Sequence, residues 1–190
     1  MRLCIGWQMN TNLQNLIKDA RVSAVKLASA EYPENDGENA IAAAIRRSAE
    51  NLGWSDEQRG AFGKLIKEGA KVVVKPNLVL HKNQGKAGLT PLITHQSIVK
   101  AVVAEVLKAN PSQVLIGDAP IQSCDLEELL RQTKLDQWSA ELQKNDARFK
   151  GIIDFRRTIS TFVGGVRKAD EDRRSEENYV RYNLKEDSLL

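Results

Sequence analysis

The sequence predicts an α/β protein, a three-layer sandwich around a mostly parallel sheet, and three observations support this fold class. Residues 71–75 (KVVVK) and 113–117 (QVLIG) are short runs rich in aliphatic and β-branched residues, as expected for buried parallel strands. Between them, apolar residues recur at i, i+3 and i+4 from Ile98 to Leu107, which predicts an amphipathic helix. A strand, a helix and a second strand form a βαβ unit, from which layered α/β domains are built.

Local patterns predict the elements around the first of these strands. Partial alternation in residues 21–28 (RVSAVKLA) predicts an earlier strand. Helical spacing over residues 41–52, followed by Gly53, predicts a helix with a left-handed C-cap. Residues 55–58 (SDEQ) have the form of a capping box and predict a second, short helix. The three successive valines of residues 71–75 predict a central strand that is buried on both faces.

The remaining elements follow the same reasoning. Residues 76–93 lack a sustained period, and a loop of this length is usually functional or mobile. Thr94 stands where the N-cap of the following helix belongs. Asp125 is expected to cap a short helix, and residues 151–155 and 158–163 are expected to be strands.

These elements suggest three parts of the 190-residue chain: an N-terminal appendage (1–20), an α/β domain (21–163), and a charged connector with the C-terminal end (164–190). Charges of both signs between residues 167 and 177 indicate a solvated connector. A strand-like YVRYNL near the end would leave an unpaired sheet edge. The sequence therefore leaves open whether the domain is complete or truncated.

Composition excludes several classes of function. A net charge of +3 and 5% aromatic residues disfavour a nucleic-acid partner, which needs a basic surface or stacking platforms. No apolar run approaches the length of a membrane span. Cys4 and Cys124 are isolated, so this chain alone is not expected to hold an iron–sulfur cluster, and its cofactor stays unknown. The expected location is the cytoplasm.

The candidate site lies where the predicted parallel strands end, because open α/β sheets bind ligands outside the carboxyl ends of their strands. Lys75, Asn77 and Thr94 are the candidate ligand-binding residues, and they suit a small anionic metabolite. Lys75 supplies a positive charge, Asn77 an amide, and the helix after Thr94 a partly positive N-terminus. His95 and Asp118 are the candidate catalytic residues, for proton transfer.

Each of these residues also has a plainer interpretation. Lys75 is equally well explained as a strand-end lysine in water, and Asp118 as a turn former. His95 fits a supporting role at the helix start, and His81 is expected to be solvated. A metal site built from both histidines, Asp118 and Cys124 lacks a spacing signature, so no metal is predicted.

Three motifs in order, KVVVKPNLV (71–79), Thr94-His95 and VLIGDAP (114–120), resemble the domain-of-unknown-function family 362 over roughly residues 22–155. The resemblance implies an α/β domain with largely undefined chemistry. Some members carry a ferredoxin-like segment and are labelled oxidoreductases, but this chain lacks the cysteines. Members are also longer, with a further Lys-Thr-His motif, which again leaves truncation open.

Two functions follow as hypotheses. The first is a protein that binds a small anionic metabolite at the sheet edge, either as a binding protein or as part of an oxidoreductase-like enzyme. The second is a non-catalytic fragment or interaction module that needs a missing C-terminal half or a partner chain. Nucleic-acid binding rests only on arginine pairs such as 46–47 and 156–157, which lie on different predicted elements.

Overall fold

A computed structural model describes residues 20–29, 31–33 and 39–179. They contain helices and strands in the order α1 (Ala40–Leu52), β1 (Lys71–Val74), α2 (Gln96–Lys108), β2 (Gln113–Asp118), α3 (Leu126–Gln132), α4 (Leu135–Asn145), β3 (Phe149–Asp154), β4 (Thr158–Val163), β5 (Val166–Asp172) and a 3-10 turn (Glu176–Asn178).

The strands β1, β2 and β3 form a parallel sheet in that order, with β2 in the centre. The helix α2 connects β1 to β2, and α3 and α4 connect β2 to β3. Neighbouring parallel strands run in the same direction, so a tight turn cannot join them and a longer crossover connection is needed. The predicted α/β class with a parallel sheet is confirmed.

The main core lies on one face of this sheet. Val114 and Ile116 of β2 are fully buried there, beneath Val99 and Val103 of α2. Phe149 of β3 belongs to the same cluster and meets the Trp138 ring of α4 at 5.6 Å between centroids. Each such buried side chain contributes about 1.5–3 kcal/mol.

Among the described residues the strand β1 lies at the edge of the sheet, so the prediction of a central strand buried on both faces is wrong. Its side chains alternate between exposed and half-buried, and Val73, which points away from α2, is 54% exposed. Three successive valines favour a strand, but they do not reveal whether a neighbour lies on each side of it.

The predicted helix over residues 41–52 is confirmed as α1. The Asn39 side chain caps it by accepting hydrogen bonds from two backbone amides, and Gly53 ends it with a φ of 75°, which glycine adopts without strain. The helix is fastened to α2 through Glu105, which is buried. The Glu105 carboxylate accepts hydrogen bonds from Arg46 (3.1 Å), Lys108 (2.7 Å) and the Ala61 amide (3.3 Å).

Two predicted elements are wrong. Residues 21–28 are irregular rather than a strand, and Val22 is almost fully exposed. Their alternation instead lets Leu27 pack against α1 without a backbone ladder. Residues 55–69 form turns rather than a helix, because the Asp56 carboxylate takes the amides of Gln58 and Arg59 (both 3.0 Å) and so stabilises a local turn.

The predicted strands at 151–155 and 158–163 are confirmed as β3 and β4. The prediction that the charged segment after them is a connector is wrong, because Val166–Asp172 forms β5, which is antiparallel to β4. Gly164 and Gly165, with φ of 57° and 79°, make the two-residue turn that favours a hairpin. All of β5 is exposed, so its charges are solvated as expected.

Candidate functional site

The carboxyl ends of the three parallel strands form one edge, and charged residues mark each end. Asp118 ends β2 and Asp154 ends β3, and the two are register partners. Lys75 directly follows β1. The sheet therefore brings together residues that are far apart in the sequence, as the rule for open α/β sheets predicts.

Lys75 and Asp118 form an ion pair. The Lys75 Nζ lies 2.9 Å from Asp118 Oδ1, with the lysine side chain 59% exposed and the aspartate side chain 8% exposed. The other carboxylate oxygen, Oδ2, accepts from the Leu78 amide at 2.7 Å. Both oxygens of Asp118 are thus engaged, and the residue holds Lys75 and the start of the loop in place.

The remaining contacts of the Lys75 ammonium are long. It donates to the Pro76 carbonyl and to Asn77 Oδ1, each at 3.4 Å, near the limit for a hydrogen bond. The ammonium is therefore fixed on its inner side by Asp118 and weakly held on its outer side.

Asn77 and Thr94 close the base of the loop between them. The Thr94 amide donates to the Asn77 carbonyl (2.7 Å), and the Asn77 amide donates to Thr94 Oγ1 (3.0 Å). Thr94 was expected to be the N-cap of α2, and this expectation is wrong, because its hydroxyl faces the loop. The two hydrogen bonds between Asn77 and Thr94 fix the backbone at Asn77, next to Lys75.

His95 is the N-cap of α2 instead. Its Nδ1 accepts from the Ser97 amide at 3.2 Å and lies 2.8 Å from the Ser97 hydroxyl. With Nδ1 as acceptor the proton of the neutral ring is on Nε2, and with Nδ1 as donor to the hydroxyl Nε2 carries the lone pair. Burial lowers the pKa of His95, and the ring stacks on Tyr32 with centroids 3.9 Å apart. Among the described residues, no hydrogen bond or ion pair joins this side chain to Lys75 or Asp118.

A cleft of about 650 Å³ opens beside the end of β3, between α3 and the β4–β5 hairpin. Arg156 fixes its base. The guanidinium binds both oxygens of Asp154 (2.6 and 3.0 Å) and the carbonyls of Ile121 (3.2 Å) and Cys124 (2.9 Å). Burial opposes ionisation of Asp154, but the hydrogen bonds from Arg156 outweigh it, so the pKa of Asp154 is lowered.

The Gln122 side chain attaches the hairpin to this cleft. Its Nε2 donates to the Thr158 carbonyl and its Oε1 accepts from the Ser160 amide, both at 3.0 Å. These are the two bonds that a neighbouring strand would make, so one side chain stands in for a strand. These two hydrogen bonds of Gln122 hold the hairpin that forms one wall of the cleft.

The structure also corrects the picture of His81. It was expected to be solvated, but it is buried, and its Nδ1 accepts from the Asp125 amide at 2.9 Å. Asp125 itself caps α3 as predicted. Burial raises the pKa of the Cys124 thiol, which therefore lacks the thiolate character of a nucleophile. Cys4 lies outside the described residues.

Within residues 20–29, 31–33 and 39–179, no three histidine, cysteine, aspartate or glutamate side chains come together as a metal-binding group. The same part of the chain has no helix that is long and apolar enough to span a membrane.

Sequence reasoning missed Arg156, Arg157 and Gln122 as residues of this edge. The signal for the arginines was present, because residues 156–157 directly follow the predicted strand 151–155, which contains Asp154. A cation two residues beyond a strand-end carboxylate can fold back onto it, as Arg156 does. Gln122 carried no comparable signal.

The fold and this edge define a class of protein: an α/β protein with a parallel sheet, and with an ion-paired lysine and a cleft at the carboxyl ends of its strands. Residues 72–159 match the family described as Domain of unknown function (DUF362), and the predicted resemblance is confirmed over that stretch. Lys75, Asn77, Thr94, His95 and Asp118 all lie within it. No curated protein and no solved structure matches the chain.

Proposed function

We propose that the protein binds a small anionic metabolite at the carboxyl edge of its sheet, with Lys75 as the residue that contacts the anion. The observation that carries this proposal is the Lys75 ammonium, which Asp118 holds at 2.9 Å while 59% of the lysine side chain is exposed. A positioned charge binds better than a mobile one, because less side-chain entropy is lost on binding.

The anion replaces the two long contacts of Lys75 rather than the short one. Leaving the bonds to Pro76 and Asn77 at 3.4 Å costs little, and the Asn77 amide then turns its NH₂ group toward the ligand. The N-terminus of α2 contributes less than its position suggests. The Ser97 amide donates to His95 Nδ1 and the Ile98 amide to the His95 carbonyl, so these donors are already used.

A proton-transfer step at this edge, including that of an oxidoreductase-like reaction, falls to His95 rather than to Asp118. Both carboxylate oxygens of Asp118 already accept hydrogen bonds, so it positions Lys75. The lowered pKa of His95, which burial causes, favours the neutral ring. In the tautomer whose Nδ1–H donates to Ser97 Oγ at 2.8 Å, Nε2 carries the lone pair and acts as the base. The isolated cysteines support a place in the cytoplasm for this function.

The test compares two lysine variants. Lys75→Met removes the proposed ligand contact, and Lys86→Met removes the same charge from an exposed position of the neighbouring loop. Thermal unfolding is followed with a panel of carboxylates and phosphate esters, since a ligand at about 100 times its Kd stabilises by about 2.7 kcal/mol. We expect one class of anion to stabilise the wild type and Lys86→Met, but not Lys75→Met.

Each variant is compared with itself without ligand, because Lys75→Met also leaves the Asp118 carboxylate without its ion partner and lowers stability by itself. An anion that stabilises both variants equally would refute the role of Lys75. A panel in which no anion stabilises the wild type would refute the function.

A second candidate, an interaction module, is favoured by one observation. The sheet edge at β1 exposes Val73 on the face opposite α2, and unpaired edge strands are templates for pairing with another chain. We propose a partner chain on this edge as the alternative function. Light scattering of the purified chain tests it: self-association that Val73→Lys abolishes supports the module, and a monomer at all concentrations contradicts pairing with a second copy.

A further inference from the structure

The hairpin brings together arginines that are distant in the sequence. Arg157 follows β3, and Arg173 and Arg174 follow β5. The Arg173 amide donates to the Arg157 carbonyl at 2.8 Å, so the two backbones run side by side. The three arginines line a hollow of about 470 Å³ with Ser175.

Charges of both signs lie at this hollow, and its arginines are only loosely paired. Arg157 contacts Glu176 at 3.3 Å and Asp172 at 3.7 Å, and all these side chains are exposed. Arg173 reaches Glu171 only at 3.8 Å. Exposed ion pairs of this kind contribute little to stability, so an anion can replace them at small cost.

Arg174 adds a charge that is not balanced in this way. Among residues 39–179 it forms no ion pair with Asp172 or Glu176, the two carboxylates that line the hollow. Three guanidinium groups thus line the hollow with two carboxylates, and a third carboxylate, Glu171, lies at 3.8 Å from Arg173. Guanidinium groups donate paired hydrogen bonds in a fixed fork that matches phosphate oxygens, and several of them suit a dianion better than a monoanion.

The hollow adjoins the larger cleft, because Arg173 lines both. The cleft offers apolar side chains of α3, β3 and β4, namely Leu130, Ile152 and Ile159. The charged pair at its base, Asp154 and Arg156, is mutually satisfied. Beside a phosphate in the hollow, the cleft can therefore accept an apolar or aromatic body.

We propose that the hairpin base is a second binding site, separate from Lys75, for the phosphate monoester of a small molecule. Arg157, Arg173 and Arg174 hold the phosphate, and the cleft between α3 and β4 holds the organic part. The hydroxyl of Ser175 lies at the same hollow and is a further donor to a phosphate oxygen.

The test uses phenyl phosphate, inorganic phosphate and phenol as probes in isothermal titration calorimetry. Phenyl phosphate is expected to bind most tightly, since only it fills both parts of the site. The variants Arg157→Gln, Arg173→Gln and Arg174→Gln are each expected to weaken it by roughly tenfold, as for one charged hydrogen-bonding partner. Arg131→Gln, which removes an exposed arginine from α3, is the matched control and is expected to bind as the wild type does.

Several results would overturn this proposal. Equal losses in Arg131→Gln and in the hairpin variants would show a general charge effect. Phenyl phosphate that binds no better than inorganic phosphate would remove the cleft from the site. A duplex oligonucleotide that competes at low salt and binds more tightly than either probe would indicate a polyanion surface instead.

Lys75→Met separates this site from the proposed anion site. It is expected to keep the affinity for phenyl phosphate. Loss of phenyl phosphate binding in Lys75→Met, with binding retained in the arginine variants, would overturn the hairpin site and leave the Lys75 proposal standing. The converse result is the expected one, and it supports the hairpin site without testing the Lys75 proposal.

Discussion

Two adjacent strands end in the same way and are used differently. Asp118 at the end of β2 and Asp154 at the end of β3 are register partners, and each pairs with a cation. The partner of Asp154 is Arg156, whose side chain is only 4% exposed. The partner of Asp118 is Lys75, whose side chain is 59% exposed. We call the pair of Asp154 and Arg156 the closed pair, because its cation is buried, and the pair of Asp118 and Lys75 the open pair, because its cation is exposed.

The chemistry of the two cations explains the difference. The planar guanidinium of Arg156 has enough fixed donors to serve a carboxylate and two backbone carbonyls together, so it can be buried without unpaired groups. The Lys75 ammonium is a point charge on a flexible stem, and only one of its contacts is short. A closed pair is therefore part of the scaffold, and an open pair can exchange contacts with a ligand.

The largest effect is expected from breaking the closed pair. Arg156→Met removes the guanidinium donors of the Asp154 carboxylate and of the Cys124 carbonyl. Among the described residues, Asp154 then keeps only the backbone amide of residue 156 (2.9 Å) and is left without its ion partner. Loss of one partner from a buried ion pair costs about 3–5 kcal/mol, measured as the free energy of unfolding in urea. The control Arg131→Met breaks an exposed pair with Glu128 and is expected to cost far less stability, because water already screens that pair. Similar losses in both variants would contradict the distinction.

The next effect separates the two functions of Asp118. Asp118→Ala removes both the partner of Lys75 and the acceptor of the Leu78 amide, and an unsatisfied buried amide costs about 1–3 kcal/mol. Asp118→Asn keeps an oxygen for Leu78 and removes only the charge, so it is expected to recover most of that stability while still releasing Lys75. Urea unfolding measures both variants. An Asn variant as unstable as the Ala variant would show that the ion pair, not the amide, carries the stability.

The sequence predicted elements whose signals are local. The spacing of apolar residues predicted α1 and α2, and Gly53 and Asp125 marked a helix end and a helix start because their effects act within one turn. The edge itself was also predictable. The rule that parallel strands end at the same edge placed Lys75 and Asp118 close together, although they are far apart in the sequence.

What the sequence could not predict depends on contacts between distant segments. Thr94 and His95 are both acceptable caps by type, and only the bond from the Asn77 amide to the Thr94 hydroxyl decides between them. The closed pair formed by Arg156 needs carbonyls more than 30 residues away. The segment after Gly164-Gly165 was taken for a connector because its charges outweighed a turn signal that was present.

The smallest effect concerns the pH range in which His95 titrates. Burial lowers the pKa of folded His95 below its usual value of 6.5, so the unfolded chain binds a proton more readily. The contribution of His95 is therefore fully present above about pH 6.5 and is lost as the pH falls through the folded pKa. Protonation also places a positive charge at the N-terminus of α2, which the helix dipole disfavours.

His95→Asn tests this contribution. Asparagine is a good N-cap without a titrating group, so the variant is expected to match the wild type at neutral pH within about 0.5 kcal/mol. Unfolding free energies measured from about pH 7.5 to about pH 5 should fall less steeply for the variant than for the wild type. Parallel curves would mean that His95 has the same proton affinity in both states. The acid sensitivity in this range would then come from elsewhere, and His95 would be a cap without the neutral-ring preference that the proposed proton transfer needs.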